Sequence, residues 1–385
     1  MSGPPPGLRD HLALALVPGL GPKLTRAVLD HFGTPAAVLA ATADRLEAVP
    51  MVGATLARRF ADSFRTVSVE AEWAKIAAHN VRVVLADDDE YPARLTAIPD
   101  PPSLLYLRGE LTAADANAVA VVGSRACTAY GQRIAERIAA GLAAAGWTVV
   151  SGLARGIDGA AHRGALSAGG RTVAVLAGGL SSIYPPEHAE LAERVAGQGV
   201  LITETPMTVD PQPGMFPARN RIISGLCRAV VVIEANARSG ALITATHAAE
   251  QGREVFAVPG NADSPASAGC LDLIRKGARL VRSADDVLED LRGIAPPDPP
   301  PAKRRPQPSS PDAGPVEPPP PPAAPPPNLD PVQQRVWDAL GSPRHADELS
   351  RELGLPAGEL AVVLMKLEMR KAVRRLPGNQ YERRS

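Results

Sequence analysis

Six short apolar runs, rich in β-branched residues, punctuate the middle of the chain: VAVVG (119–123), TVVSG (148–152), TVAVLAGG (172–179), VLITE (200–204), AVVVIEA (229–235) and VFAVPG (255–260). They do not alternate apolar with polar residues, so a strand formed by any of them needs cover on both faces. The stretches between them carry helical patterns, and strands alternating with helices predict an α/β body: a doubly wound parallel sheet with helices on each side. Several runs close on Gly, Ser or Glu. Those residues fall at the carboxyl edge of such a sheet, where open α/β folds take their ligands.

At 385 residues the chain is too long for one ordinary core, and its composition shifts mark further boundaries. Ahead of the body, LALALVPGLGPKLTRAVLDHFG (12–33) and LEAVPMVGATLARRFADSF (46–64) repeat one design, an apolar stretch, a tight turn and an amphipathic helix. This predicts a small helical domain of helix-hairpin-helix, SAM-like type over 1–75, with the α/β body over 76–293. Its turns either present amides to a phosphate or serve only as a helical cap, the second having lost a glycine. Prolines crowd between Pro296 and Pro327, which predicts a disordered, semi-rigid linker over 294–327. The remaining residues, 328–385, read as three helices and a strand-turn-strand, a winged helix. Its end is locally basic (Lys366, Arg370, Lys371, Arg374, Arg375, Arg383, Arg384 against Glu368 and Glu382), which suits either duplex DNA or a protein partner.

Lys plus Arg and Asp plus Glu both number 41, so any anion site must be local. Cys127, Cys227 and Cys270 lie far apart with no C-x-x-C pair, which fits reduced thiols better than a disulfide frame or a zinc site. With no apolar signal core and no run of the roughly 20 residues that a membrane helix requires, the chain is expected to be cytoplasmic.

The chemistry concentrates at the strand ends. In VVGSRACTAYG, Gly123 closes a strand, Ser124 and Arg125 turn, and a helix opens near Thr128, outlining an anion site. G-x-G-x-x-G spacing is absent, so no NAD or FAD cofactor is expected. VVSGLARGIDGAAH repeats the arrangement with Arg155 and Gly156 in the bend. Asp158 and His162, at i and i+4, permit acid-base chemistry but read more simply as a helix-terminal carboxylate with a histidine paired to it. In FPARNRII, Arg219 and Arg221 cannot grip one group together. One is expected to face the ligand and the other to brace the loop through a carboxylate, with Asn220 between them and Phe216 either stacking on a base or packing under the loop. A further turn offers Arg238, Ser239 and Gly240, with Thr244 one helical turn on. A row of four such turns, with no catalytic nucleophile and no metal-ligand set, suits a single-stranded nucleic acid, which carries one phosphate per unit.

VVGSR, SGLARGIDGAAH, YPPEH, FPARNRIISGL, SGALITA, VPGN and LIRKGA occur in that order, and with them the chain closely resembles the DNA processing protein A family, DprA or Smf, from about Gly7 to Asp290. The resemblance implies an extended Rossmann domain that binds single-stranded DNA without sequence preference. It also implies a homodimer that loads the recombinase RecA during natural transformation and is not an enzyme. By motif, it implies that Gly123, Ser124, Arg125, Arg155, Arg219, Asn220, Arg221, Ser239 and Gly240 belong to the DNA pocket. The alternative is a nucleotide or phosphoribosyl hydrolase of the lysine-decarboxylase-like Rossmann group, whose P-G-G-x-G-T-x-x-E motif is replaced here by ARSGALITA.

Overall fold

The computed structural model describes residues 3–292, 329–340, 344–370, 372–376 and 380–383. The linker expected over 294–327 lies outside these residues. The chain forms two compact units, Met1–Lys303 and Arg304–Ser385.

In the first unit the apolar runs become strands of a nine-stranded sheet. The strands are β1 (Arg82–Leu85), β2 (Leu104–Gly109), β3 (Ala118–Val122), β4 (Thr148–Ser151), β5 (Thr172–Val175), β6 (Val200–Thr203), β7 (Ala229–Val232), β8 (Glu254–Ala257) and β9 (Arg279–Leu280). The spatial order is β1-β2-β6-β5-β4-β3-β7-β8-β9. Every residue of β3 through β7 is buried, as double-sided cover demands. From β6 to β9 the pairing is parallel. The expected all-parallel sheet is modified at one edge, where β1 and β2 form an antiparallel pair and β2 lies antiparallel to β6. Residues 82–109, outside the six apolar runs, therefore add two strands, and Tyr106 of β2 is wholly buried.

Helices cover both faces. Ile222, Ala245 and Cys270 pack on one side, from the helices Met215–Leu226, Ala241–Glu250 and Ala268–Arg275. Ile138, Ala160 and Val287 pack on the other, from Ala129–Ala144, Ile157–Ser167 and Ala284–Arg292. The N-terminal helices keep their own core around Val28, Leu46 and Phe60. They are also joined to the sheet, because Leu12, Val69 and Ile76 share a cluster with Tyr106, Leu176 and Leu201. Both hairpin turns form. Gly19 takes a φ of +83°, and Met51, where the second copy lacks the glycine, takes +69°. The tertiary fold thus imposes on Met51 a conformation that costs an L-residue about 1–2 kcal/mol.

The second unit has helices Pro331–Ala339, Ala346–Leu353 and Ala357–Met369 and a three-stranded antiparallel sheet, the winged-helix arrangement. Trp337, Leu349, Leu364 and Leu367 fill its core. Part of the basic end is structural, since Arg383 lies over the Trp337 ring and donates to the carbonyls of Trp337 and Asp338. No described helix is long and apolar enough to cross a membrane.

The pairing of His162 with Asp158 expected from their spacing does not form. His162 is wholly buried, with Nδ1 2.7 Å from Thr172 Oγ1, and its Nε2 has no hydrogen-bond partner among the described residues. Asp158 instead accepts from the amides of Gly152 (3.1 Å) and Ala154 (3.4 Å). Burial, helped by the nearby His188 and Arg219, pushes the His162 pKa down to about 3 from 6.5. The unfolded chain takes up this proton as pH falls through 6.5 and the folded chain does not until about 3, so stability is lost across that window. The loss runs at up to about 1.4 kcal/mol per pH unit. Denaturant melts at pH 7.5 and pH 5 should therefore show the unaltered protein losing about 2 kcal/mol more than His162→Gln; an equal loss in both would remove this residue from the account.

Candidate nucleic-acid interface

The strand order reverses between β3 and β7, where the chain leaves the sheet in opposite directions and a crevice opens at the carboxyl ends. The turn after β3 sits in it. Ser124 N donates to Glu234 O (2.7 Å), and Ile157 N, from the next turn, donates to Ser124 O (3.2 Å). Gly156 makes this stacking of turns feasible: its φ is +71°, and a Cβ there would collide with the Ser124 carbonyl oxygen. Gly156 thus supports the crevice from beneath and does not line it. Gly152 has a comparable role, since a Cβ would come within 2.5 Å of Arg219 Nη1.

The crevice is a groove of about 730 Å³ whose lining includes Gly123, Ser124, Arg125, Tyr184, Phe216, Arg219, Asn220, Ser239, Gly240 and Thr244. Its wall is an aromatic and cationic stack. The Arg125 guanidinium lies 4.4 Å from the Phe216 ring centroid, and Tyr184 lies 6.0 Å from the same ring, tilted by 59°. Arg125 is exposed and has no carboxylate partner among the described residues. Arg155 lines an adjoining smaller cleft with Tyr184 and Phe216, and is ion-paired to Glu187. Tyr184 was not among the residues expected from the sequence, although the YPPEH stretch that carries it stood out there.

Two of the four turns expected to hold anions are already occupied from within. The buried Glu234, just past β7, accepts from Thr128 N (2.9 Å) and from Thr128 Oγ1, so it neutralises the start of helix Ala129–Ala144. Asp158 does the same for the turn after β4. Both carboxylates sit where burial would be costly without donors and where helix-terminal amides would be unpaired without acceptors, and each answers the other's need. Burial raises the Asp158 pKa, with the Arg219 guanidinium and the amides opposing it. The turn at Ser239 and Gly240 has no acidic residue in its first helical turn, and space lies open around Gly240.

Arg219 and Arg221 diverge. Arg219 is buried in the groove floor, where Nη1 donates to the carbonyls of Gly152 (2.7 Å) and Val175 and Nε to Asn220 Oδ1 (3.3 Å). Burial lowers its pKa to about 10, against the pull of Asp158, so it stays charged at neutral pH. Asn220 also donates from Nδ2 to Gly240 O (3.3 Å), linking the floor to the open turn. Arg221, expected in the pocket, is not in the groove lining. It is buried on the far side of its helix, paired with Glu204 (2.7 Å) and Asp100 (3.1 Å). The physical reason is helical geometry, since two residues along is about 200° around. Arg221 is thus the bracing residue.

Residues 82–292 match the family described as DNA recombination-mediator protein A, residues 319–379 match the DprA winged helix domain, and residues 12–66 match the SAM-like helix-hairpin-helix tandem. The chain is 34% identical to Protein Smf of Synechocystis sp. over 97% of this chain and 98% of that one. Among solved structures it is similar to DNA processing protein A of Streptococcus pneumoniae, with a TM-score of 0.63 and 36% identity over 73% of this chain and 95% of that one. A second, DNA processing protein A of Helicobacter pylori, described for its single-stranded DNA binding mode, matches with a TM-score of 0.50 and 27% identity over 55% of this chain and 95% of that one. With its α/β body, both flanking domains and nearly the whole length of a relative accounted for, the chain belongs to the DNA recombination-mediator protein A family, DprA/Smf.

Proposed function

We propose that the groove holds single-stranded DNA without reading its sequence, and that the protein protects such strands and hands them to the recombinase RecA during DNA-mediated transformation. One observation carries the reading: an unpaired, exposed guanidinium stacked on Phe216 beside Tyr184, at the mouth of a groove wide enough for a nucleotide. A phosphate meets Arg125, a base meets the rings, and because every base has a π-face the contact is indifferent to sequence. The hydroxyl of Ser239, whose oxygen accepts from Ala241 N (3.4 Å), keeps its own proton to donate to a second phosphate. The Helicobacter pylori relative, named for its single-stranded DNA binding, supports the same assignment.

The reading includes no bond-breaking. Asp158 is the one carboxylate among the groove-lining residues, and backbone amides engage it. His162 is sealed inside the body and does not line the groove, so it cannot serve the hydrolase reading as a base there. A cytoplasmic homodimer belongs to the proposal through the family. The winged helix is free in it to contact duplex DNA or a protein.

Replacing Arg125 with Ala should weaken binding of all oligonucleotide compositions alike, by about tenfold, and reduce the salt slope by about 0.7, the share of one phosphate on a single strand. Arg155→Ala should do less, because Arg155 must leave Glu187 to reach DNA. Glu187→Gln should accordingly tighten binding, and fluorescence-anisotropy titrations in which it weakened binding would contradict the role given to Arg155. Truncation after residue 292 should leave affinity for single strands largely intact; its collapse would move the principal site to the winged helix.

A further inference from the structure

A second cleft, of about 450 Å³, runs along helix Ala129–Ala144, bounded by Val258 and Pro259 after β8 and Arg282 after β9. Its wall is one helical face. Tyr130, Arg133 and Arg137 follow at i, i+3 and i+7 and so project together, with Ile134 between them. Tyr130 is 44% exposed, and its hydroxyl donates to Pro259 O (3.3 Å), which ties the end of the ring to the segment after β8. Arg133 has no hydrogen-bond or ion-pair partner among the described residues, and Arg137 donates only to the Arg282 carbonyl (3.2 Å).

The carboxylates nearby are spoken for. Asp286 takes both the Nε and Nη2 of Arg282, at 3.0 Å each, and Glu136 faces Arg163. No acidic side chain lines the cleft. Two uncompensated guanidinium groups and a fixed aromatic ring therefore stand over about 10 Å of helix, the length of about three stacked nucleotides. The same helix begins just beyond the Ser124–Arg125 turn that lines the groove, and only four residues separate Arg125 from Tyr130.

We infer that this cleft is a second contact for the same single strand, with Arg133 and Arg137 taking phosphates and Tyr130 a base as the strand leaves the groove along helix Ala129–Ala144. The inference rests on the proposed function of the groove. An acidic protein segment would meet the same two cations but would have no use for the clamped ring, and nothing would place it in line with Arg125.

The test compares oligothymidylates of two lengths, about six nucleotides, enough for the groove alone, and about twenty, enough for both sites. In the full chain, Arg133→Ala/Arg137→Ala should leave the short oligonucleotide unaffected, weaken the long one about tenfold and lower its salt slope by about 1.4, the share of two phosphates. Arg133→Ala alone, which breaks no bond in the fold, should give about half that change in slope. Arg125→Ala should weaken both lengths. Unchanged affinity for the long oligonucleotide in the double variant, or equal loss at both lengths, would overturn the second contact. If Arg125→Ala changed neither length while the double variant still weakened the long one, the groove reading would fall and with it the continuous path.

Discussion

The buried Arg219 guanidinium is the interaction on which the site's geometry depends. It draws the start of helix Met215–Leu226 against the ends of β4 and β5 by donating to Gly152 and Val175 carbonyls that the sheet ladder leaves open. Phe216 lies one turn earlier on the same helix, so this anchor sets the ring beneath Arg125. A buried guanidinium is tolerated only where acceptors and an opposite charge surround it, and Asp158 supplies that charge. Gly152 is the backbone's concession to it, because any larger residue would occupy the space that the guanidinium fills.

The same economy of charge decides what the groove can attract. Glu234 and Asp158 are used internally, and Arg221 is committed to Glu204 and Asp100, so several of the charges clustered in the sequence never reach the ligand. What remains for a ligand is a small set: Arg125, the Ser239–Gly240 turn with its open space, and two aromatic side chains. Such a set favours a phosphodiester with an unpaired base over a duplex, whose bases are stacked away from aromatic side chains. It contains no edge-reading amide or carboxylate aimed outward, apart from an Asn220 already bonded on both sides, and this fits an interface indifferent to sequence.

Much of the fold was legible because double-sided burial leaves an unmistakable trace: β3 through β7 are apolar runs in the chain and fully buried strands in the body. The β1–β2 pair was less legible because its antiparallel seat beside β6 is a long-range fact, and the DDDEYP stretch between its strands reads as loop. At the site, Arg125, Phe216 and the Ser239–Gly240 turn could be read from local motifs. The occupation of the first turn by Glu234 could not, since Thr128 and Glu234 are 106 residues apart and no spacing rule connects them. His162 shows the opposite failure: a favourable i, i+4 spacing predicted a partner, but burial against Thr172 won. Tyr184 and Phe216, 32 residues apart, meet only because the loops after β5 and β6 fold over the same edge.

The most direct measurement is a crystal structure of the protein with a short oligothymidylate bound. The account predicts a phosphate within hydrogen-bond distance of the Arg125 guanidinium and a base lying against Phe216 and Tyr184, with Arg219 and Arg221 unmoved from their internal partners. An oligonucleotide seated elsewhere on the chain, with the crevice between β3 and β7 left empty, would contradict it.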